Sequence, residues 1–217
     1  MRDLFLNRAK EGCRLSRTIG EERPEIYRIE AGSDLSLYPR VSMEFEQLIT
    51  QRYSVRSFRS EHLPETVIHR ILAAGHKAPT GCNNQPQRIL VLNTDDSIAK
   101  LKGCTKCHFD APTAMLICHN TKESWVRKYD GALSSPVDAA IVATHMMLAA
   151  HDLGVGCCWV MHFDPDAMGS AFHIPPHIEP AALLVMGYPS EEAKPLPLHT
   201  QTRPLEEVVV YESFPQE

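Results

Sequence analysis

The chain has 217 residues, 43 % hydrophobic and 23 % charged, with a net charge of −5 and a pI near 6.1. That is enough for one large domain or two small ones around a sizeable core, and it excludes wholesale disorder. The acidic balance and the lack of a basic run exclude the phosphate-neutralising patch of a nucleic-acid binder. The opening "MRDLFLNRAKEGCR" lacks the apolar core of a signal peptide, and no apolar stretch reaches the roughly 18 residues that span a bilayer. The expectation is a soluble, cytoplasmic protein. Seven cysteines without an even, regular spacing point to reduced thiols, with Cys118, Cys157 and Cys158 in apolar runs as small buried hydrophobes.

Residues 1–43 carry many charges and little periodicity, and read as an N-terminal extension to a main domain over 44–217. "EFEQLIT" is a short helix, after which "QRYSVRSF" places Arg52, Ser54 and Arg56 at alternating positions. In an extended segment these three share one side. They form either a solvated basic face or an anion cradle of forked guanidinium donors. "LPETVIHRILAAG" predicts a helix with Pro64 in its first turn, an apolar stripe from Val67 to Leu72, and Gly75 as its stop.

"APTGCNNQPQ" (78–87) follows, too polar for an element interior. It reads as an ordinary surface turn or as a row of backbone and amide donors facing a flat ligand. "RILVL" (88–92) and "AMLIC" (114–118) are predicted buried strands, and "CTKCH" (104–108) lies between them. That pattern matches c-type haem attachment or the start of a zinc site, but lacks a second well-spaced pair, so thiols in a structural loop are favoured. "NTKESWVRKYDGA" (120–132) is a candidate lid carrying Trp125 and Tyr129.

"SSPVDAAIVATHMMLAAHDLG" (134–154) predicts the longest helix, with Ser135 as N-cap, Pro136 at the first helical position, Asp138 completing a capping box, and Gly154 as the stop. It is apolar nearly all round, which predicts burial on more than one face, partly against a second subunit. "VGCCWVM" and "AALLVMG" are two further core strands, "PSEEAKPLPLHTQTRP" is a Pro-rich link, and "LEEVVVYE" closes the chain as a strand or extended arm. The mixture predicts an α+β fold. No dinucleotide fingerprint, phosphate-binding P-loop, G-x-S-x-G elbow or H-E-x-x-H helix is present.

In order, "RYSVRSF", "ILAAGHKAPTGCNNQP", "FDAPTAMLIC", "VDAAIVATHMMLAAHDLGVGCCWV", "LLVMGYP" and "RPLEEVVVYE" resemble the nitroreductase family of FMN-dependent oxidoreductases, over about residues 44 to 212. The resemblance implies a mainly antiparallel central sheet flanked by helices, in an intertwined homodimer. It implies that Arg52, Tyr53, Ser54 and Arg203, with Arg56 as a weaker candidate, hold the phosphate and ribityl chain of FMN. Pro79, Thr80, Gly81, Asn83 and Gln85 would approach the flavin from the other subunit. Trp159, Val160, Met161 and His162 would lie along it.

The implied reaction is ping-pong hydride transfer from NADH or NADPH through the flavin to a small electron acceptor such as a nitroaromatic or quinone, with no catalytic side chain and no metal. Alternatives are a specialised relative (dehalogenation, enone reduction, flavin processing), a non-catalytic FMN-binding or redox-sensing protein, and a haem or metal protein built on "CTKCH". Three departures from the family pattern bear on substrate choice and flavin potential: Gln87 after Gln-Pro, Gln201 before the tail Arg, and Met161-His162 beside the flavin.

Overall fold

The computed structural model describes residues 43–215. The extension expected over residues 1–43 therefore lies outside the described residues, apart from Met43, whose backbone N–H donates to the Asp152 carboxylate at 2.8 Å.

Four strands form one antiparallel sheet: β1 (Gln87–Leu92), β2 (Thr113–Asn120), β3 (Gly156–Val160) and β4 (Ile178–Gly187), in the order β1-β2-β4-β3. The two central strands are apolar on both faces because the sheet is covered on both. Met115 and Ile117 of β2, with Leu184 and Met186 of β4, face one core; Ala114, Leu116 and Cys118, with Leu183 and Val185, face the other. This period-2 split explains why the predicted strands read as unbroken hydrophobic runs. Pro180 breaks no ladder, since it sits where the register of β2 against β4 shifts between Ile117 and Cys118.

The first face is covered by α2 (Glu65–His76) and α4 (Ser135–Asp152), which supply Ile68, Ile71, Ala139, Val142, Ala143, Met146 and Ala150. The second is covered by α3 (Asp95–Cys104) and α5 (Pro165–Phe172), through Ile98, Leu101, Cys104 and Met168. Thr94 and Ser97 form a reciprocal capping box at the start of α3. Helix α1 (Phe45–Gln51) precedes the Arg-x-Ser segment, and α6 (Leu205–Val208) lies in the tail. Among the described residues no helix is long and apolar enough to cross a membrane.

Three local readings are corrected. Gly75 does not stop α2; it is buried inside it, and a Cβ there would lie 2.6 Å from Met146 Cγ, so it allows α2 and α4 to approach. Helix α4 starts one residue earlier than expected: Ser134, not Ser135, precedes it, the first helical bond runs from Asp138 N–H to Ser134 C=O, and Asp138 forms no capping box. Its end matches expectation, because Gly154 has φ +73° and the Val155 and Gly154 amides reach back to Ala150 and His151 as a Schellman cap. In the tail, "LEEV" is a short helix in place of the strand or arm expected from 205 on. Prolines 195, 197 and 204 break the tail into short pieces, the 3₁₀ turn Pro197–Thr200 and this helix.

Gly156 separates packing from propensity. A Cβ there would meet Cβ, Cγ1 and Cγ2 of Val55, all at 2.9 Å, whereas Gly103 near the end of α3 has nothing within 4 Å. Gly156→Ala is expected to lower the unfolding free energy by about 1–3 kcal/mol. Gly103→Ala should raise it by up to about 1 kcal/mol, both read by urea denaturation.

Candidate functional site

The Arg-x-Ser segment lies along the outer edge of β3. Ser54 pairs with Cys157 in a parallel bridge, and the Val55 N–H donates to the Cys157 carbonyl at 3.1 Å. Val55 is thereby buried against Gly156, so its neighbours on alternate positions turn the other way. Arg52 lies over α4, with Nη1 3.9 Å from Met147 Sδ, and its charge acts on His151 one turn further along. Arg56 donates to the Ser54 carbonyl at 3.1 Å and stacks over the Phe109 ring at 5.7 Å. Arg52 and Arg56 thus stand on either side of Ser54, one against Met147 beside the first core and the other against Phe109 beside the second.

Four other arginines pair with carboxylates: Arg59 with Glu61, Arg88 with Glu123, Arg127 with Asp130 and Arg203 with Glu207. Arg52 and Arg56 have no such partner among the described residues, although acids outnumber bases in the chain. His151 Nε2, on the helix face below Arg52, is buried without a hydrogen-bond partner. Two uncompensated guanidiniums, a hydroxyl and an orphaned ring nitrogen suit a ligand that brings anionic oxygens. Tyr53 points elsewhere and meets the His199 ring edge-on at 6.3 Å, so the tail turn Pro197–Thr200 reaches this segment. Arg203 does not join the cluster: its side chain is 78 % exposed and reaches only Glu207, at 3.8 Å.

The loop after α2 is the second assembly. Cys82, Asn83 and Gln85 have φ of 50°, 55° and 52°, the left-handed region that non-glycine residues enter at a cost. Four bonds close the loop on itself: Asn83 N–H to Thr80 C=O, Asn84 N–H to Gly81 C=O, Gln85 N–H to Thr80 Oγ1, and Gln85 Nε2 to Asn83 Oδ1. Pro79, Asn83 and Gln85 are exposed, while Thr80 and Gly81 are half-buried. The Gly81 N–H donates to Asp138 Oδ1 at 2.9 Å, and Ser134 Oγ donates to Asp138 Oδ2 at 2.8 Å. The candidate lid ends nearby, with Val126 and Leu133 bridged and Tyr129 fully exposed.

At the end of β3, Trp159 packs toward the α2–α4 core and Val160 toward the other, whereas Met161 and His162 emerge into solvent. Their turn is clamped from below. The buried Thr105 hydroxyl donates to the His162 carbonyl and accepts from the Cys107 N–H at 2.9 Å, and the Asp164 N–H donates to the Cys104 carbonyl. This clamp accounts for the "CTKCH" segment in structural terms. Burial raises the Cys104 and Cys158 thiols, and pushes Cys118 up to about 12. Among the described residues no three metal-ligating side chains converge.

Sequence reading missed Thr105 and misassigned Asp138. A polar residue clamping across 57 positions leaves no local periodicity, and only its burial betrays it.

The profile of the nitroreductase family matches residues 49–115 and 100–188, spanning both assemblies and the sheet between them. The chain belongs to the nitroreductase family. It is similar to a nitroreductase family protein from Clostridium difficile 630, with 37 % identity and a TM-score of 0.74 over 79 % of this chain and 100 % of that one. It is also similar to a Desulfovibrio desulfuricans protein solved in complex with FMN (28 % identity, TM-score 0.63, 78 % and 97 % covered). A third relative is the FMN reductase [NAD(P)H] of Bacillus subtilis (strain 168), 23 % identical over 69 % of this chain and 67 % of that protein. The nitroreductase-family fold agrees with the α+β architecture expected from the sequence.

One titration follows from the buried histidines beside these assemblies. His119, 3 % exposed, meets Ser135 Oγ through Nδ1 at 3.0 Å. Burial lowers its pKa, outweighing the opposite effect of Glu179, and His151 is lowered by burial and by Arg52. Unfolded histidine takes up a proton near pH 6.5, so the unfolded chain binds more protons below that value. Stability should be full above about pH 6.5 and fall as pH drops toward the lower folded-state values. His119→Gln is expected to flatten that slope in melting temperatures recorded from pH 7.5 to 5.5.

Proposed function

We propose that the chain is an FMN-dependent NAD(P)H oxidoreductase that reduces small electron-poor acceptors such as nitroaromatics or quinones. The observation carrying this reading is the pair Arg52 and Arg56 flanking Ser54, without an acidic partner among the described residues and on a segment paired to an edge strand, within a chain of this family. FMN in complex with the Desulfovibrio desulfuricans relative, and the name of the Bacillus subtilis one, support the same cofactor and donor here.

On this reading Arg52, Ser54 and Arg56 hold the phosphate and ribityl chain by charge-assisted hydrogen bonds, and Arg203 completes the grip once the tail is docked. Tyr53 positions the segment through the His199 turn. Pro79, Thr80, Gly81, Asn83 and Gln85 offer amides and backbone groups to the polar edge of the ring system. Trp159, Val160, Met161 and His162 supply the floor, with backbone in place of bulk. Bound FMN supplies hydride acceptance and donation, so the protein's work is to orient donor and acceptor in turn over the same face and to place donors where negative charge develops. No side chain is required as nucleophile or general base.

The homodimer belongs to the same proposal. Leu198, Leu205, Tyr211 and Phe214 of the tail are more than 70 % exposed, and Phe45 and Val137 more than 60 %. Apolar surface of that extent marks a protein interface. A second copy would cover it and bring the amide loop of one subunit to the arginines of the other. The cytoplasm, where NADH and NADPH are kept reduced, is the proposed compartment, and the proposed domain boundary stays at residues 43 and 44.

The test is the visible spectrum of the purified protein, before and after anaerobic addition of NADPH or NADH. A yellow dimer that bleaches is expected; a colourless monomer that ignores added FMN would end the reading. Arg52→Ala removes charge-assisted bonds of about 1.5–3 kcal/mol, so FMN binding measured by fluorescence should weaken roughly 10- to 150-fold. Arg59→Ala, whose guanidinium faces Glu61, should leave it unchanged.

A further inference from the structure

We infer that Asp138 is a positioning residue, which sets the backbone of the 79–85 loop and through it the protein's affinity for FMN. The inference rests on the reading that this loop faces the flavin.

Asp138 is 4 % exposed, and its two carboxylate oxygens are taken by neutral donors, Gly81 N–H and Ser134 Oγ. A carboxylate buried without a cationic partner is costly, and the N-terminal dipole of α4 offsets only part of that cost. A side chain serving its own helix as a cap would bond the first-turn amides. Asp138 instead reaches 57 residues back to a different segment. It meets that segment at Gly81, whose missing Cβ leaves room for Ser134 Oγ at 2.8 Å and Trp125 Cβ at 3.2 Å.

Downstream of this anchor, Cys82, Asn83 and Gln85 all have left-handed φ. Strained backbone persists only where its surroundings over-determine it. With Gly81 released, the loop would relax toward negative φ, and every amide and side chain it presents would change direction. The carboxylate is occupied and enclosed, so it acts through Gly81 and not on a ligand.

Four variants test this by FMN titration, apo-protein melting and visible circular dichroism of bound flavin. Asp138→Ala should weaken FMN binding at least tenfold and alter the flavin dichroism. Asp138→Asn should rescue both to within about threefold, because the amide can accept from Gly81 N–H and donate to Ser134 Oγ. Gly81→Ala leaves the carboxylate in place but drives a Cβ into Ser134. It should weaken binding as Asp138→Ala does, and it keeps the test open if the latter fails to fold. Asn83→Ala examines the underlying reading, with at least a threefold weakening expected.

An unchanged constant for Asn83→Ala removes the loop from the flavin and the proposal with it. A weakened Asn83→Ala beside a Gly81→Ala within twofold of wild type leaves the loop reading standing and overturns the role of Asp138. So does an Asp138→Asn as weak as Asp138→Ala, since charge and not geometry would then be the determinant.

Discussion

The contact of Val55 with Gly156 decides where the charged residues of the site can stand. The two chain segments approach so closely that a methyl group on Gly156 would overlap three Val55 atoms, and the Val55 amide is bonded to the adjacent Cys157 carbonyl. An extended segment locked at one position has its neighbours on both sides locked in direction. Arg52 and Arg56 are therefore held on either side of Ser54 without a hydrogen bond between their side chains, and neither has an acidic partner among the described residues. A carboxylate in that place would neutralise the cradle; backbone pairing supplies the same fixation without the charge.

The same economy runs through the other two candidate segments. Each lies outside the sheet and is held by one buried polar side chain on a neighbouring element: Asp138 for the amide loop and Thr105 for the Met161–His162 turn. Both occupy the ends of helices whose buried faces line the two apolar cores. The sheet's double-sided burial makes those helices rigid supports, and rigid supports permit a loop with three left-handed residues to keep one conformation.

Legibility followed the range of the interaction. Strands β1 to β4 and helices α2 and α4 were readable because apolar periodicity and Pro/Gly punctuation are local, and the Schellman end at Gly154 was a local signal too. Gly75 misled because a glycine that admits a neighbouring helix looks, in one dimension, like a glycine that ends its own. Ser134 and Ser135 are chemically the same cap, and their order was settled by Ser135 Oγ being drawn to His119, 16 residues away. Asp138 fitted the spacing of a capping box and was used for something else. The arginines lay between these extremes: alternation announced them, but that neither Arg52 nor Arg56 has a paired acid among the described residues is a property of the folded chain.

The tail bears on the proposed homodimer. Among the described residues Arg203 is tethered only to Glu207 at 3.8 Å, an exposed pair of the kind that fixes little. Around it Leu205, Val208, Val209, Val210 and Tyr211 leave their side chains in water, in a sequence too short and too Pro-flanked to build a core of its own. Hydrophobic residues in that arrangement gain burial only from a surface supplied elsewhere, and α4 offers one in Val137, with α1 adding Phe45 and Ile49. If the tail is ordered by such a surface, the position of Arg203 becomes a consequence of subunit association. Cofactor affinity and dimer stability are then linked, since whatever binds only the assembled state stabilises it.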